Sequence, residues 1–211
     1  MNYNGITSNG KSRKRQEAAR KIFLYSKKKD RSKVHKYQKI LIKSRSARLL
    51  AVRKVTQDNR GKNTAGVDGI KTVPRGNRLS LSRAKDLELN GKADSIRRVY
   101  IPKPGTKERR PLGIPTIRDR AKQALVKFAL EPEWEALFEP NSYGFRPGRS
   151  CHDAAEAILR GISQSREGKF VLDADIKKCF DRIDHAALLK RLKTWPGLAP
   201  NGGTNSSMAE S

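Results

Sequence analysis

Apolar positions along this chain fall into short periodic stretches on a strongly polar background. In the first quarter Tyr37, Ile40, Leu41, Ser44, Ala47 and Ala51 recur at helical spacing, predicting a helix with a narrow packing stripe and a broad polar face. The segment Gly61-Lys62-Asn63-Thr64-Ala65-Gly66-Val67-Asp68-Gly69 predicts a loop, since Gly supplies positive φ and Asp bonds the backbone just ahead of it. Residues 70–95 are polar with scattered Leu, enough for a short helix around Ser82 to Asn90. The period then changes to two. Val99 and Ile101 alternate with Arg98 and Tyr100, Pro104-Gly105-Thr106-Lys107 makes a turn, and Leu112 to Ile114 begins a return strand, which together predict a hairpin.

Helical spacing returns at Ala121, Ala124, Leu125, Phe128 and Ala129, within a helix expected over Asp119 to Phe138 whose stripe ends before Glu131-Pro132. A further helix is expected from near Cys151, with Ser150 as its cap, and another over His185 to Leu192, capped by Asp184. Between them Phe170 to Ile176 reads as an apolar strand. Leu172, Ala174 and Ile176 take one face and Asp173 and Asp175 the other, so that Asp175 arrives at an open rim.

Charge alters the reading of the helical stretches. The 211 residues hold 47 Lys and Arg against 21 Asp and Glu, a formal net charge of +26. Twenty of those cations and only three acids lie between Lys11 and Lys62. A face so one-signed repels itself unless an anion compensates, and cations recurring from Lys11 to Lys193 suit nucleic acid lying along an extended surface. Hydrophobic residues make up 36%, a core for one modest domain with peripheral helices and not for two large ones. Cys151 and Cys179 form no metal-binding or disulfide pattern, which fits a reducing compartment. No apolar run approaches the roughly 20 residues that span a bilayer, and Met1 to Gly5 carries no signal core. The expected location is a bacterial cytoplasm or the interior of an organelle, without secretion or a membrane partner.

Two clusters carry candidate chemistry. Lys103, Lys107, Arg109 and Arg110 crowd the hairpin tip, poor for folding and good for clamping phosphates; prolines on both strands also blunt the edges. Tyr143-Gly144-Phe145-Arg146-Pro147-Gly148-Arg149-Ser150 sets two Arg and an aromatic before a helix N-terminus, which suits an anion or serves as a plain capped turn.

Taken in order, Asn63-Thr64-Ala65-Gly66-Val67-Asp68-Gly69, Ile101-Pro102-Lys103-Pro104, Arg110-Pro111-Leu112-Gly113-Ile114-Pro115-Thr116, Tyr143 to Ser150 and Asp175-Ile176-Lys177-Lys178-Cys179-Phe180-Asp181 resemble the group II intron reverse transcriptase/maturase family. Lys43 to Gln57 resembles its N-terminal extension, which touches intron RNA, and the likeness covers about residues 20–194. The resemblance implies an α+β fold: a basic helical extension followed by the partial fingers and palm of a reverse transcriptase, with the sheet incomplete. It implies that Lys103 and Arg110 hold the incoming triphosphate, that Asp175 ligates catalytic Mg2+, and that Phe180 is the steric gate against a ribose 2′-hydroxyl. RNA contacts are expected from Lys39, Lys43, Arg45, Arg48, Arg53, Lys54, Arg146 and Arg149.

The departure from the family pattern matters as much. Two-metal nucleotidyl transfer needs carboxylates on both ions, the family draws the others from a later Tyr-x-Asp-Asp hairpin, and this chain has no Asp-Asp dipeptide. The expected organisation is a disordered lead over 1–12, a basic RNA-binding extension over 13–69, partial fingers and palm over 70–194, and a disordered, non-family tail over 195–211. Two functions follow from it. One is a truncated maturase-like protein that binds group II intron RNA and assists folding or splicing. The other is half of an RNA-directed DNA polymerase, inactive alone and completed with Mg2+ and primer/template by another reverse transcriptase chain. A third reading is a decayed frame whose open sheet edge prevents stable folding.

Overall fold

The computed structural model describes residues 10–83, 85–89, 93–163, 170–176, 179 and 182–192. Its first half is helical where the sequence shows one stripe: α1 (Gly10–Lys27), α2 (Arg31–Lys43) and α3 (Arg45–Arg53). The corner between α1 and α2 is set locally. Lys29 takes a φ of 57°, so that the Asp30 N–H reaches the Tyr25 carbonyl at 3.0 Å and the Lys29 N–H reaches that of Ser26 at 3.0 Å, closing the end of α1. Asp30 then caps α2 by accepting from the Lys33 N–H at 3.1 Å. With only three residues between them, α2 runs back along α1.

After α3 the backbone widens into one π-helical turn, Lys54–Asp58, followed by a 3-10 turn, Arg60–Asn63. The remaining elements are α4 (Arg75–Leu81), β1 (Arg97–Pro102), β2 (Arg109–Ile114), α5 (Ile117–Glu135), α6 (Cys151–Ser163) and α7 (His185–Leu192). The mixture of helices with one small antiparallel sheet is the expected α+β class.

The core sits where α5 meets the three basic helices. Ala121, Leu125 and Ala129 form a stripe of period four on α5, entirely buried against Ile22, Leu41, Ala47, Ala51, Val52 and Val55. Small residues at the crossing let the backbones approach, while each buried Ile or Leu contributes roughly 1.5–3 kcal/mol. The expected stripe of α2 and α3 is therefore correct at Leu41, Ala47 and Ala51 but not at Ile40, which is 49% exposed. One polar pair is buried in this seam. The Gln38 amide nitrogen donates to a Glu133 carboxylate oxygen at 2.5 Å and to the Ala129 carbonyl at 3.4 Å, while the Gln38 side-chain oxygen has no partner.

A second junction ties the 61–69 loop to the start of α5. Arg120 donates to the carbonyls of Gly61 at 3.0 Å and Thr64 at 2.6 Å. A Cβ on Gly66 would come within 2.8 Å of the Thr116 backbone, so only glycine permits this approach. Thr116 caps α5, accepting from the Asp119 N–H at 3.3 Å, and its hydroxyl donates to Asp94 at 3.0 Å. The loop is thus a structural joint between the helical platform and the hairpin.

Several expectations are corrected. The helix expected around Ser82 to Asn90 lies earlier, at α4, with only a 3-10 turn at Lys85–Leu87. Helix α5 runs through Pro132 to Glu135, within the span expected to Phe138. Proline occupies its last turn, where the helix gives up one hydrogen bond and is held by burial of Pro132, Glu133 and Glu135. The stretch Phe170 to Ile176 is not a strand: no partner pairs with it among the described residues, and Phe170, Leu172 and Ile176 are all exposed. A strand depends on a neighbour for its backbone bonds, so apolar alternation alone does not form one. Asp184 caps α7 as expected, and Ser150 caps α6, the plain-turn alternative for that loop. The Ser150 hydroxyl accepts from the Asp153 N–H, and Asp184 accepts from the Ala186 and Ala187 N–H groups.

Burial pushes the Glu133 carboxyl above its ordinary range, opposed in part by the Gln38 hydrogen bond and the charges of His35 and Arg31. The folded state then holds its proton to higher pH than the unfolded state, so this group's contribution to stability falls as pH rises from the ordinary carboxyl range through the raised value. Glu133→Gln removes the buried charge and keeps an oxygen to accept from the Gln38 amide nitrogen. Denaturation at pH 7.5 should show the variant more stable by about 1 kcal/mol. The difference should shrink toward zero below about pH 4, where the wild-type carboxyl is protonated in both states.

Candidate nucleic-acid interface

Along the seam between α1 and α2 runs a groove of about 570 Å³ lined by Lys14, Arg15, Ala18, Lys36, Lys39, Ile40, Leu41, Lys43 and Ser44. Five of these carry positive charge and none is acidic. Beyond one end of the groove Tyr25 and Tyr37 stack with centroids 5.6 Å apart. Lys33 lies 5.0 Å from the Tyr25 ring and Lys21 lies 5.2 Å from the Tyr37 ring. Arg15 and Lys54 both approach the Phe128 ring, at 5.9 and 5.5 Å. Aromatic contact holds Arg15 and Lys54 without neutralising them, whereas Lys33 also pairs with Asp30 at 2.8 Å and Lys21 with Glu17 at 3.4 Å.

The cations expected to meet RNA divide by what they already hold. Lys39, Lys43 and Arg45 are exposed, and Lys39 and Lys43 border the groove. Arg48 is half-buried and donates to the carbonyls of Lys43 at 2.7 Å and Ser82 at 3.1 Å, joining α3 to the end of α4. Arg53 sits 3.6 Å from Asp58. Sequence reasoning missed Lys14, Arg15 and Lys36. Their signal lay in the charge run, but only the folding of α1 against α2 sets them on the same groove as Lys43.

The hairpin pairs Ile101 with Arg110 and Pro102 with Arg109, and the Lys103 N–H continues the ladder to the Glu108 carbonyl at 2.9 Å. Residues directly opposite share a face, so Lys103 and Arg110 stand on one side of the ribbon with Val99, Ile101 and Leu112, while Arg109 points with Tyr100 to the other. Lys103 is held 3.3 Å from Glu108; Arg110 is exposed. Tyr100, Ile101 and Leu112 are also exposed, leaving both faces of the ribbon open.

In the 143–150 loop the two arginines have different surroundings. Arg146 is not presented to a ligand. It is buried with Glu135 in a paired contact of 2.8 and 3.0 Å and also donates to the carbonyls of Glu139 and Ser142 at 2.6 Å. Four of its five N–H donors are engaged and the side chain is buried, which corrects its expected role in meeting RNA. Its neighbour Phe145 takes a φ of 58° and is fully exposed. Arg149 lies 5.4 Å from the Tyr143 ring, and its Nε is buried without a partner.

Asp175 lies on the exposed, unpaired stretch ending at Ile176, and Phe180 falls outside the described residues. No three His, Cys, Asp or Glu side chains converge among the described residues. Asp173 and Asp175 alone do not fit a two-ion magnesium site, which needs carboxylates on both ions.

A basic three-helix platform joined to a cationic ribbon matches a known class. Residues 9–84 match the N-terminal domain of reverse transcriptase, and residues 101–202 match reverse transcriptase (RNA-dependent DNA polymerase). Group II intron-encoded protein LtrA of Lactococcus lactis is 47% identical over 94 residues, 44% of this chain and 15% of LtrA. Maturase-like protein 1 of Euglena gracilis is 34% identical over 176 residues, 82% of this chain and 38% of that protein. Protein YkfC of Escherichia coli is 38% identical over 146 residues, 66% of this chain and 38% of that protein. The chain belongs to the group II intron reverse transcriptase/maturase family, and it spans well under half the length of these relatives. No helix among the described residues is long and apolar enough to cross a membrane.

The contrast between the two loop arginines can be measured. Arg146→Ala, which strands Glu135 in the interior, should lower the melting temperature clearly in differential scanning fluorimetry. Arg149→Ala, on a half-buried side chain, should lower it less.

Proposed function

We propose that this protein binds intron RNA through the α1–α2 face and assists its folding or splicing. The observation that carries the reading is the groove: five cations, no acid, on helices anchored to a packed core. Phosphates entering it would displace their condensed counterions and relieve the repulsion among Lys14, Arg15, Lys36, Lys39 and Lys43. Because packing against α5 fixes their spacing, the lysines act as a rigid template for charge. Such a template lowers the cost of bringing RNA strands close together, which is the step that folding a large intron requires. RNA as partner also accords with the family, whose members include a group II intron-encoded protein and maturase-like proteins.

A second reading has its own support. Lys103 and Arg110 share one face of the ribbon, as two residues gripping a single triphosphate would. On that reading the chain is half of an RNA-directed DNA polymerase. Another reverse transcriptase chain supplies the missing carboxylates, Asp175 contributes to holding Mg2+, Phe180 excludes a 2′-hydroxyl, and primer/template lies between the two chains.

One set of assays separates the readings. The purified chain should bind structured RNA with about 10³- to 10⁵-fold loss of affinity between 50 and 200 mM salt, as six to ten phosphate contacts require. Replacing Lys36 and Lys43 by Gln should reduce the slope of log K against log salt by about two. The same preparation should extend no primer. Magnesium-dependent extension by the chain alone that disappears in Asp175→Ala would move the assignment to the polymerase, and salt-independent binding would contradict the electrostatic reading.

A further inference from the structure

Resting on the RNA-binding reading, we propose that the α1–α2 groove takes an unpaired nucleotide. Its base would lie on Ala18, Ile40 and Leu41, and the flanking phosphates on Lys14, Lys36 and Lys43. A flat basic face would suffice for a duplex, whose phosphates lie on its outside and whose bases are turned inward. This surface is instead a recess of about 570 Å³, within the range of small-ligand sites, with an aliphatic floor that offers nothing to a phosphate.

Ile40 is the informative residue. It occupies a position that the helical stripe assigns to the core, yet it is 49% exposed beside Leu41, which is 1% exposed. The described chain leaves about half of it uncovered. An apolar side chain left open between cations suits a ligand that is apolar in its middle and anionic at both ends. A nucleotide everted from a helix is such a ligand: a π-face between two phosphates. The neighbouring tyrosines cannot supply the platform, because Tyr25 and Tyr37 cover one another and Lys33 and Lys21 lie over the two rings. The base must therefore use the aliphatic floor, and the cations along both walls position the strand on either side of it. The groove would accordingly distinguish bulged or looped RNA from continuous duplex, a selectivity that charge alone does not give.

The test compares two RNA hairpins of equal length, one fully paired and one with a single unpaired nucleotide, by fluorescence anisotropy on the full chain. Wild type should prefer the bulged RNA about five- to tenfold, the low end of what one stacked base contributes. Ile40→Ser, on an exposed side chain, should bring that ratio to about one by weakening the bulged RNA about five- to tenfold more than the paired hairpin. 2-Aminopurine at the bulge should change its fluorescence on binding wild type and not the variant. Equal affinity for the two hairpins, or a preference that survives Ile40→Ser, overturns the inference and leaves the RNA-binding reading standing. Displacement of the bulged RNA by polyglutamate as readily as by single-stranded RNA would assign the groove to acidic peptide instead. Failure of wild type to bind either hairpin at low salt overturns the RNA-binding reading itself.

Discussion

Fifteen cations packed into three short helices repel one another, and what holds those helices together is the buried face of α5. Ala121 and Ala129 present little bulk at the crossing and Leu125 fills the space between them, so α5 can lie close against α1, α2 and α3 at once. The rest of the structure hangs on this contact. The start of α5 receives the 61–69 loop through Arg120 and Gly66, and the hairpin enters it directly at Thr116. Its end receives Arg146 through Glu135 and α2 through Glu133. The N-terminal basic helices and the ribbon are therefore positioned by one helix from the chain's middle.

The way the lysines are restrained follows from the scarcity of acids. The three acids between Lys11 and Lys62 pair with Arg20 and Lys21, with Lys33 and with Arg53, and none of them lines the groove. Tyr25, Tyr37 and Phe128 add to this ordering, with a lysine or arginine over each ring. A carboxylate partner orders a lysine and removes its field; an aromatic partner orders it and leaves the field intact. The groove keeps its full attraction for a polyanion while its walls stay in place. Function and stability pull in opposite directions here, and burial under α5 sustains the compromise.

What was legible in the sequence was whatever local chemistry determines. The hairpin followed from alternation about Pro104-Gly105, α7 from Asp184, and the basic character of the helical platform from charge. What was not legible depends on partners distant in sequence. Ile40 shares the helical spacing of Leu41, and only the placement of α5 decides which of them is covered. Arg146 reads as a ligand-binding arginine until Glu135, eleven residues earlier, is brought against it. The stripe of α5 ends before Pro132 in the sequence, yet burial of Pro132, Glu133 and Glu135 extends the packed face to the end of the helix. Phe170 to Ile176 has the composition of a strand and no neighbour to pair with among the described residues. The family motifs were recognisable from residue order alone, whereas the groove was not, because its two walls come from helices that only the corner at Lys29 and Asp30 turns toward each other.

Native-state hydrogen exchange on the full chain tests most directly whether α5 is what holds the basic helices together. The amides of Ile22, Leu41, Ala51 and Leu125 should exchange with one shared opening free energy, because no basic helix stays folded once α5 has left. Those of α6 and of residues 170–176 should exchange far faster. Protection of α1 and α2 that persists while α5 exchanges freely would contradict the account, showing that the platform folds without the helix on which it is here said to depend.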